Sequence, residues 1–270
     1  MRDHHRVLWR FILILMSNIA FARLGSCAQI ETTAPIRLYA IEEFDIHGKQ
    51  VAMNAATQGI LRVLEQQLAM RFEILHVPWK RAMENVLNDD GFLIGMSITP
   101  ERAEKFAFSA PIDVNRNWLI TRCDARFKFA KMSDLRGKTI GMVLGTSAGA
   151  EFDQLAQTQF KVESDTGAGI ARINKLIRKR VDAIVWFGAA ENVVQMEAAI
   201  NHFYEPYRQM HREEDLRLCV LAKPVSIVTS HIASKINSKK IALLKRISEA
   251  LVKARKEGKL RPLALPNTNP

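Results

Sequence analysis

The chain has 270 residues, with 39 Lys+Arg against 28 Asp+Glu, 48% hydrophobic residues and 25% charged ones. That length is ample to bury a core, and the balance excludes disordered, collagenous and disulfide-dense classes. The net charge of +11 raises a nucleic-acid or membrane-surface reading, to be judged by how that charge is distributed.

In chain order, Arg2, Arg6 and Arg10 lead into the apolar Phe11-Ile-Leu-Ile-Leu-Met16, and Ile19-Ala-Phe-Ala22 follows a polar break. A cationic start before an apolar stretch too short to span a bilayer is the pattern of a signal peptide. Residues 1–28 are therefore expected to be removed, by cleavage after Ala22 or Ala28, and the protein to be exported. Leu24-Gly25-Ser26-Cys27 resembles a bacterial lipobox, so a lipid anchor at Cys27 is the alternative, although Arg23 interrupts the apolar stretch. A chain starting at Gln29 holds 35 Lys+Arg against 27 Asp+Glu, a net +8, and keeps only Cys123 and Cys219. The cysteine spacing matches no metal or redox motif, and the two are expected to stay unpaired.

Ile36-Arg-Leu-Tyr-Ala-Ile41 reads as a strand, and residues 52–70 place Ile60, Leu61, Leu64 and Leu68 at helical spacing. Phe72-Glu-Ile-Leu-His-Val77 reads as a strand ended by Pro78, residues 79–87 as a helix and residues 92–96 as a buried strand. Strand, helix, strand, helix, strand predicts a parallel sheet with crossover helices. The pattern then restarts. Strands are expected at 117–121, 139–143, 181–186 and 216–221, with helices from Gly149 to Gln157 and over 169–179. Ser238 is expected to cap a last amphipathic helix carrying Ile241, Leu244, Ile247 and Leu251 on one stripe. Two α/β units without a low-complexity linker predict two lobes joined by short hinges.

Ser97-Ile-Thr-Pro-Glu-Arg102 follows a strand end, with Thr99 suited to the N-cap and Pro100 to the first helical position. Arg102 then falls in the first turn, beside backbone N–H groups that have no helical partner. A helix start at the carboxyl end of a parallel strand favours anions, and an arginine fork fits a carboxylate with two charge-assisted bonds. The competing possibility is that Arg102 only pairs with Glu101 or Glu104 on the surface. In the second unit, Gly145-Thr146-Ser147 offers a close backbone approach and two hydroxyls at another helix start. It lacks the lysine of a phosphate loop and the glycine spacing of a dinucleotide fingerprint.

Gly95-Met-Ser-Ile-Thr-Pro-Glu-Arg102, then Phe106-Ala-Phe-Ser-Ala-Pro111, resembles the motif region of bacterial periplasmic solute-binding proteins, family 3, the polar amino-acid class. Leu135-Arg-Gly-Lys-Thr-Ile-Gly141, Leu144-Gly-Thr-Ser147 and Arg180-Val-Asp-Ala-Ile-Val185 continue it in order, from about Ile36 to Leu263. The resemblance implies a two-lobed α/β periplasmic binding protein type II fold, each lobe a mostly parallel sheet flanked by helices. The lobes, residues 29–115 plus 216–270 and residues 116–215, would close like a flytrap about two hinge crossings, near Asp113–Asn117 and near Leu216. It also implies that a small-molecule carboxylate or amino-acid-like ligand is carried in the periplasm to the membrane subunits of an ABC importer. Arg102 matches the arginine that clamps the ligand carboxylate. Ser97, Thr146 and Ser147 match residues bonding the same group, with Thr99 beside them. Phe44 and Trp79 match the aromatic positions that sandwich the ligand side chain.

One departure changes the expected ligand. The family's acid for the ligand ammonium lies five residues after Asp182, where this chain has Phe187. Without it an α-ammonium is poorly compensated in a dry cleft, so a carboxylate other than a standard α-amino acid is expected. Glu42, Glu43 or Asp45 near the rim could substitute, and a methylated ammonium held by Trp79, Trp186 and Phe187 is a related option. Some relatives are dehydratases with a glutamate at that position, but a phenyl ring cannot act as a general acid. No enzyme activity, cofactor or metal is expected, the histidines being assigned to surfaces or loops. The basic residues Arg172, Lys175, Arg178, Lys179 and Arg180 read as a solvated helix face, so no nucleic-acid partner is expected. The chain is expected to be a monomer serving an importer or, alternatively, a membrane sensor.

Overall fold

The computed structural model describes residues 34–265 apart from 46, 167–168 and 212–215; the leader and Cys27 lie outside the described residues. Strands β1 (Ile36–Ile41), β2 (Phe72–Val77) and β3 (Phe92–Ser97) pair in parallel in the order β2-β1-β3. Helix α1 (Ala55–Leu68) starts where the Asn54 side chain accepts the Thr57 N–H at 2.9 Å, and α2 (Trp79–Leu87) follows Pro78. Because strand side chains alternate, the sheet presents two apolar faces. Leu38 and Ala40 pack with Ile60, Leu61 and Leu64 of α1, while Tyr39 packs with Trp79, Ala82 and Val86 of α2.

The short helix α3 (Pro100–Ala103) and β4 (Phe106–Phe108) lead to β5 (Asp113–Arg122), which extends well beyond the predicted 117–121. The second parallel set is β6 (Thr139–Val143), β7 (Lys161–Asp165) and β8 (Ala183–Gly188), ordered β8-β6-β7. Around it lie α4 (Ala150–Leu155), α5 (Gly169–Ile177), α6 (Val193–His211) and β9 (Leu218–Val220). Alternate residues of β5 again feed two cores: Leu119 joins Ile140 and Phe152, while Trp118 and Ile120 join Ile173 and Tyr204.

Two long strands connect the halves. β5 pairs antiparallel with β8 through residues 116–120 and with β10 (Ser226–Lys235) through residues 113–117. β10 in turn pairs antiparallel with β3 and β4, so one ladder path runs β2-β1-β3-β10-β5-β8-β6-β7. β9 pairs with the far end of β5, at Ile120–Arg122, so the segment just after Leu216 stays with the second half and β10 carries the return. The last helix, α7 (Ile241–Lys256), lays Leu244, Ile247 and Leu251 against the core that α1 also covers.

Four expectations are corrected. Cys123 and Cys219 form a disulfide, because β5 and β9 pair beside them and bring their Cα atoms to 4.9 Å. Closing a loop across a sequence separation of 96 restricts the unfolded chain by about 4–5 kcal/mol in the chain-entropy picture. Ser238 is not the N-cap residue of α7: the helix begins after Lys240, although the buried Ser238 hydroxyl accepts the Lys240 N–H at 3.0 Å while bonding Asp89. Arg172 is not on a solvated face but 2% exposed. His231 is neither on the surface nor in a loop; it is buried in β10 between the Thr229 hydroxyl (2.8 Å) and the Ser109 carbonyl (2.7 Å). Burial lowers its pKa, opposed by the bond to Ser109.

Candidate ligand-binding cleft

The site forms where the carboxyl ends of β3 and β6 face each other. After β3 the chain turns into α3, whose cap is as the sequence predicts: the Thr99 hydroxyl accepts the Arg102 N–H at 3.2 Å, with Pro100 at the start. A four-residue helix is enough to aim Arg102 back toward the strand end. Its guanidinium donates to the Ser97 carbonyl (3.0 Å) and hydroxyl (2.8 Å), and its other terminal nitrogen reaches the Gly145 carbonyl at 3.0 Å. The surface-pair alternative is therefore wrong: Arg102 is 8% exposed, and Glu101 pairs with Lys105 instead.

The Gly145 carbonyl also accepts the Trp79 indole N–H at 3.0 Å, so two groups of the first half grip one carbonyl of the second. Glycine is favoured there by its φ of +78°; an added Cβ would also lie 2.9 Å from the Met83 Cε, a flexible side-chain end that would have to shift. Beyond it, Thr146 donates to the Val143 carbonyl at 2.7 Å, while Ser147 bonds Asp153, whose other oxygen accepts the Ala148 N–H at 3.1 Å. Asp153 thus orders the turn, and the Thr146 and Ser147 hydroxyl protons are both committed within it.

Between these two ends lies a cavity of about 380 Å³. Trp79, Ser97, Arg102, Thr146, Ser147 and Phe187 all line it. Two of the residues singled out in the sequence do not. Thr99 acts behind the wall as the cap, and Phe44 is engaged in an isolated antiparallel bridge with Gln50. Alternation along β5 adds Asp113, Asn115 and Asn117 to the lining. Asn117 is fully buried and donates to the Ser226 hydroxyl at 2.8 Å, which itself donates to the Ala148 carbonyl at 2.5 Å. That chain fixes the amide orientation and leaves the Asn117 Oδ1 without a partner among the described residues.

The electrostatics are uneven. Burial lowers the Arg102 pKa, and the charges of Asp153 and Glu101 oppose that shift. No described carboxylate lies within ion-pair distance of its guanidinium. Glu43, from the segment after β1, also lines the cavity; burial raises its pKa, opposed by the charge of Arg172. Sequence reasoning offered Glu43 as one of three rim acids, whereas Asp113, Asn117 and His76 were missed as lining residues. For Asp113 and Asn117 the only signal was period-two placement on β5, whose burial depends on the opposite half, while His76 sits near the end of β2. Among the described residues, no group of three His, Cys, Asp or Glu side chains is placed to hold a metal ion.

This two-sided cleft can be set beside known proteins. The family model of bacterial extracellular solute-binding proteins, family 3, matches residues 32–265. The chain belongs to that family. Solved structures with the same fold include a mutant of ArgBP from T. maritima, 22% identical, covering 82% of this chain and 90% of that one, with a TM-score of 0.61. The arginine-, lysine-, histidine-binding protein ArtJ from Geobacillus stearothermophilus is 19% identical, covering 83% and 91%, with a TM-score of 0.62. An ancestral arginine-binding protein bound to glutamine is also 19% identical, covering 84% and 94%, with a TM-score of 0.62. No curated protein sequence matches the chain. The architecture is thus the two-lobed periplasmic binding protein type II fold, with β5 and β10 as the connections between its halves.

Proposed function

We propose that this family 3 protein is exported to the periplasm, loses residues 1–28, and closes its two lobes over a small carboxylate-bearing ligand for delivery to an inner-membrane ABC importer. The observation that carries the ligand class is Arg102. A nearly buried cation whose bonds all go to neutral groups, on the wall of a cavity, is costly unless an anion reaches it. A carboxylate there takes two charge-assisted bonds from one guanidinium. The Ser97 hydroxyl, which accepts from Arg102 and keeps its own proton, can donate to the same carboxylate, and Trp79 packs alongside with its ring centroid 5.8 Å from the guanidinium carbon.

Phe187 argues against a standard α-amino acid, because it puts an apolar ring on the second-half wall where the resemblance calls for an acid. A second reading rests on Glu43 and Asp113, which line the same cavity and favour a ligand nitrogen held from the first half and the connecting strand. Thermal-shift screening of a chain beginning at Gln29 with keto acids, dicarboxylates and the common amino acids separates the two. The first reading expects shifts with carboxylates lacking an α-ammonium, lost in Arg102→Ala. A clear amino-acid shift lost in both Arg102→Ala and Glu43→Gln supports the second. Shifts that survive Arg102→Ala would overturn both.

A further inference from the structure

We propose that the outer face of α7 is a docking surface for an anionic lipid bilayer. Residues 239–261 contain nine Lys+Arg against two Glu, a net +7, out of +9 for residues 35–265. The positive charge of the folded unit is therefore concentrated on one helix and its flanks. The helix has two different sides. Leu244, Ile247, Ala250, Leu251 and Ala254 are buried in the core. Lys245, Arg246, Val252, Lys253 and Lys256 are exposed, and at 3.6 residues per turn they fall within an arc of about 120°.

One exposed anion, Glu249, falls inside the same arc, so four cations face one carboxylate. Lys245, Arg246 and Lys256 make no ion pair among the described residues, and Lys253 approaches Glu257 only at 3.9 Å. Val252, 58% exposed, sits amid the charges with its apolar end outward. A broad stripe of cations with an exposed apolar residue among them suits a flat, fluid, negatively charged surface. Lysine and arginine near such a surface are attracted to it, and the attraction decays within a Debye length. The second basic cluster, Arg178, Lys179 and Arg180, is exposed too, but it is three residues on a turn with no apolar centre. This proposal is independent of which ligand the cleft takes.

The test is co-sedimentation of the chain beginning at Gln29, so that the apolar leader takes no part, with phosphatidylcholine vesicles with or without ~30 mol% phosphatidylglycerol. Pelleting is expected only with phosphatidylglycerol, falling at least ~tenfold between ~50 mM and ~500 mM salt. The variant Lys245→Glu/Arg246→Glu/Lys253→Glu/Lys256→Glu is expected to lose at least ~tenfold in binding, whereas Arg178→Glu/Lys179→Glu/Arg180→Glu keeps it. If charge reversal prevents folding, the four Gln substitutions at the same α7 positions take its place, with a melting curve to verify the fold. Equal pelleting with neutral vesicles, no pelleting at low salt, or equal losses in the two variants would overturn the proposal. So would binding to polyglutamate without binding to vesicles, which points to an acidic protein partner.

Discussion

Of the four arginines buried among the described residues, Arg102, Arg116, Arg122 and Arg172, one from each half, Arg102 and Arg172, are treated differently. Arg172 in the second half is 2% exposed, stands 3.4 Å from the Asp165 carboxylate and lies over the Trp186 ring at 5.4 Å. Arg102 in the first half is 8% exposed and bonds only to neutral oxygens of Ser97 and Gly145. The first is a completed structural pair, whose burial is offset within its own half. The second keeps its charge for something the chain does not supply. Burial depth alone therefore does not separate a structural cation from a binding one; the sign of the nearest partners does.

This contrast makes predictions that can be ranked. The largest effect is expected from Arg172→Ala, which removes the cation 3.4 Å from the buried Asp165 carboxylate and should cost about 3–5 kcal/mol of stability in urea unfolding. Arg102→Ala should do the reverse. Its unfolding midpoint stays near that of the parent, while affinity for a carboxylate ligand falls ~100-fold or more by calorimetric titration. Equal destabilisation by the two substitutions would erase the distinction.

Gly145→Ala probes what Arg102 touches. With φ at +78° and the Met83 Cε 2.9 Å from the added methyl, it should destabilise by about 1–3 kcal/mol and weaken the ligand-bound form as well. The smallest effect is at Glu43, which faces the charge of Arg172. Its raised pKa means that the folded state binds the proton more tightly than the unfolded chain. Stability therefore falls as pH rises from the ordinary glutamate value of 4.5 through the folded value. Glu43→Gln removes that loss, so its Tm should exceed the parent's by ~2 °C at neutral pH and match it at low pH.

Legibility followed the reach of each signal. The N-cap at Thr99, the strand over Phe72–Val77 and the helix over Trp79–Leu87 were readable because spacing and capping act within a few residues. β7, α6 and β10 were not assigned. β10 mixes Ser, Thr and His with Ile and Val because it is covered on different faces along its length, so no single period marks it. α6 carries Pro206, a residue that argues against a helix, although its buried Met196, Ile200 and Tyr204 recur every four residues. In the site, Arg102, Ser97, Trp79 and the Gly145 turn were visible as local motifs, whereas Asp113 and Asn117 look like ordinary strand polar residues. Arg172 was misread for the converse reason, since its ion partner lies on a different element.

The net positive charge shows the same division. By itself the sequence determined its amount, the doubled α/β pattern and the arginine at a strand-to-helix turn, because composition, periodicity and capping are properties of adjacent residues. Only the tertiary structure decided which cations are spent. Packing buries Arg172 against Asp165, holds Arg102 at a cavity wall with no described carboxylate in ion-pair distance, and leaves the lysines of α7 facing outward. The Cys123–Cys219 bond belongs with these, since it depends on β5 meeting β9 across a sequence separation of 96. Charge, thiol and amide chemistry is local, but what each group meets is set by strands that pair from far apart in the chain.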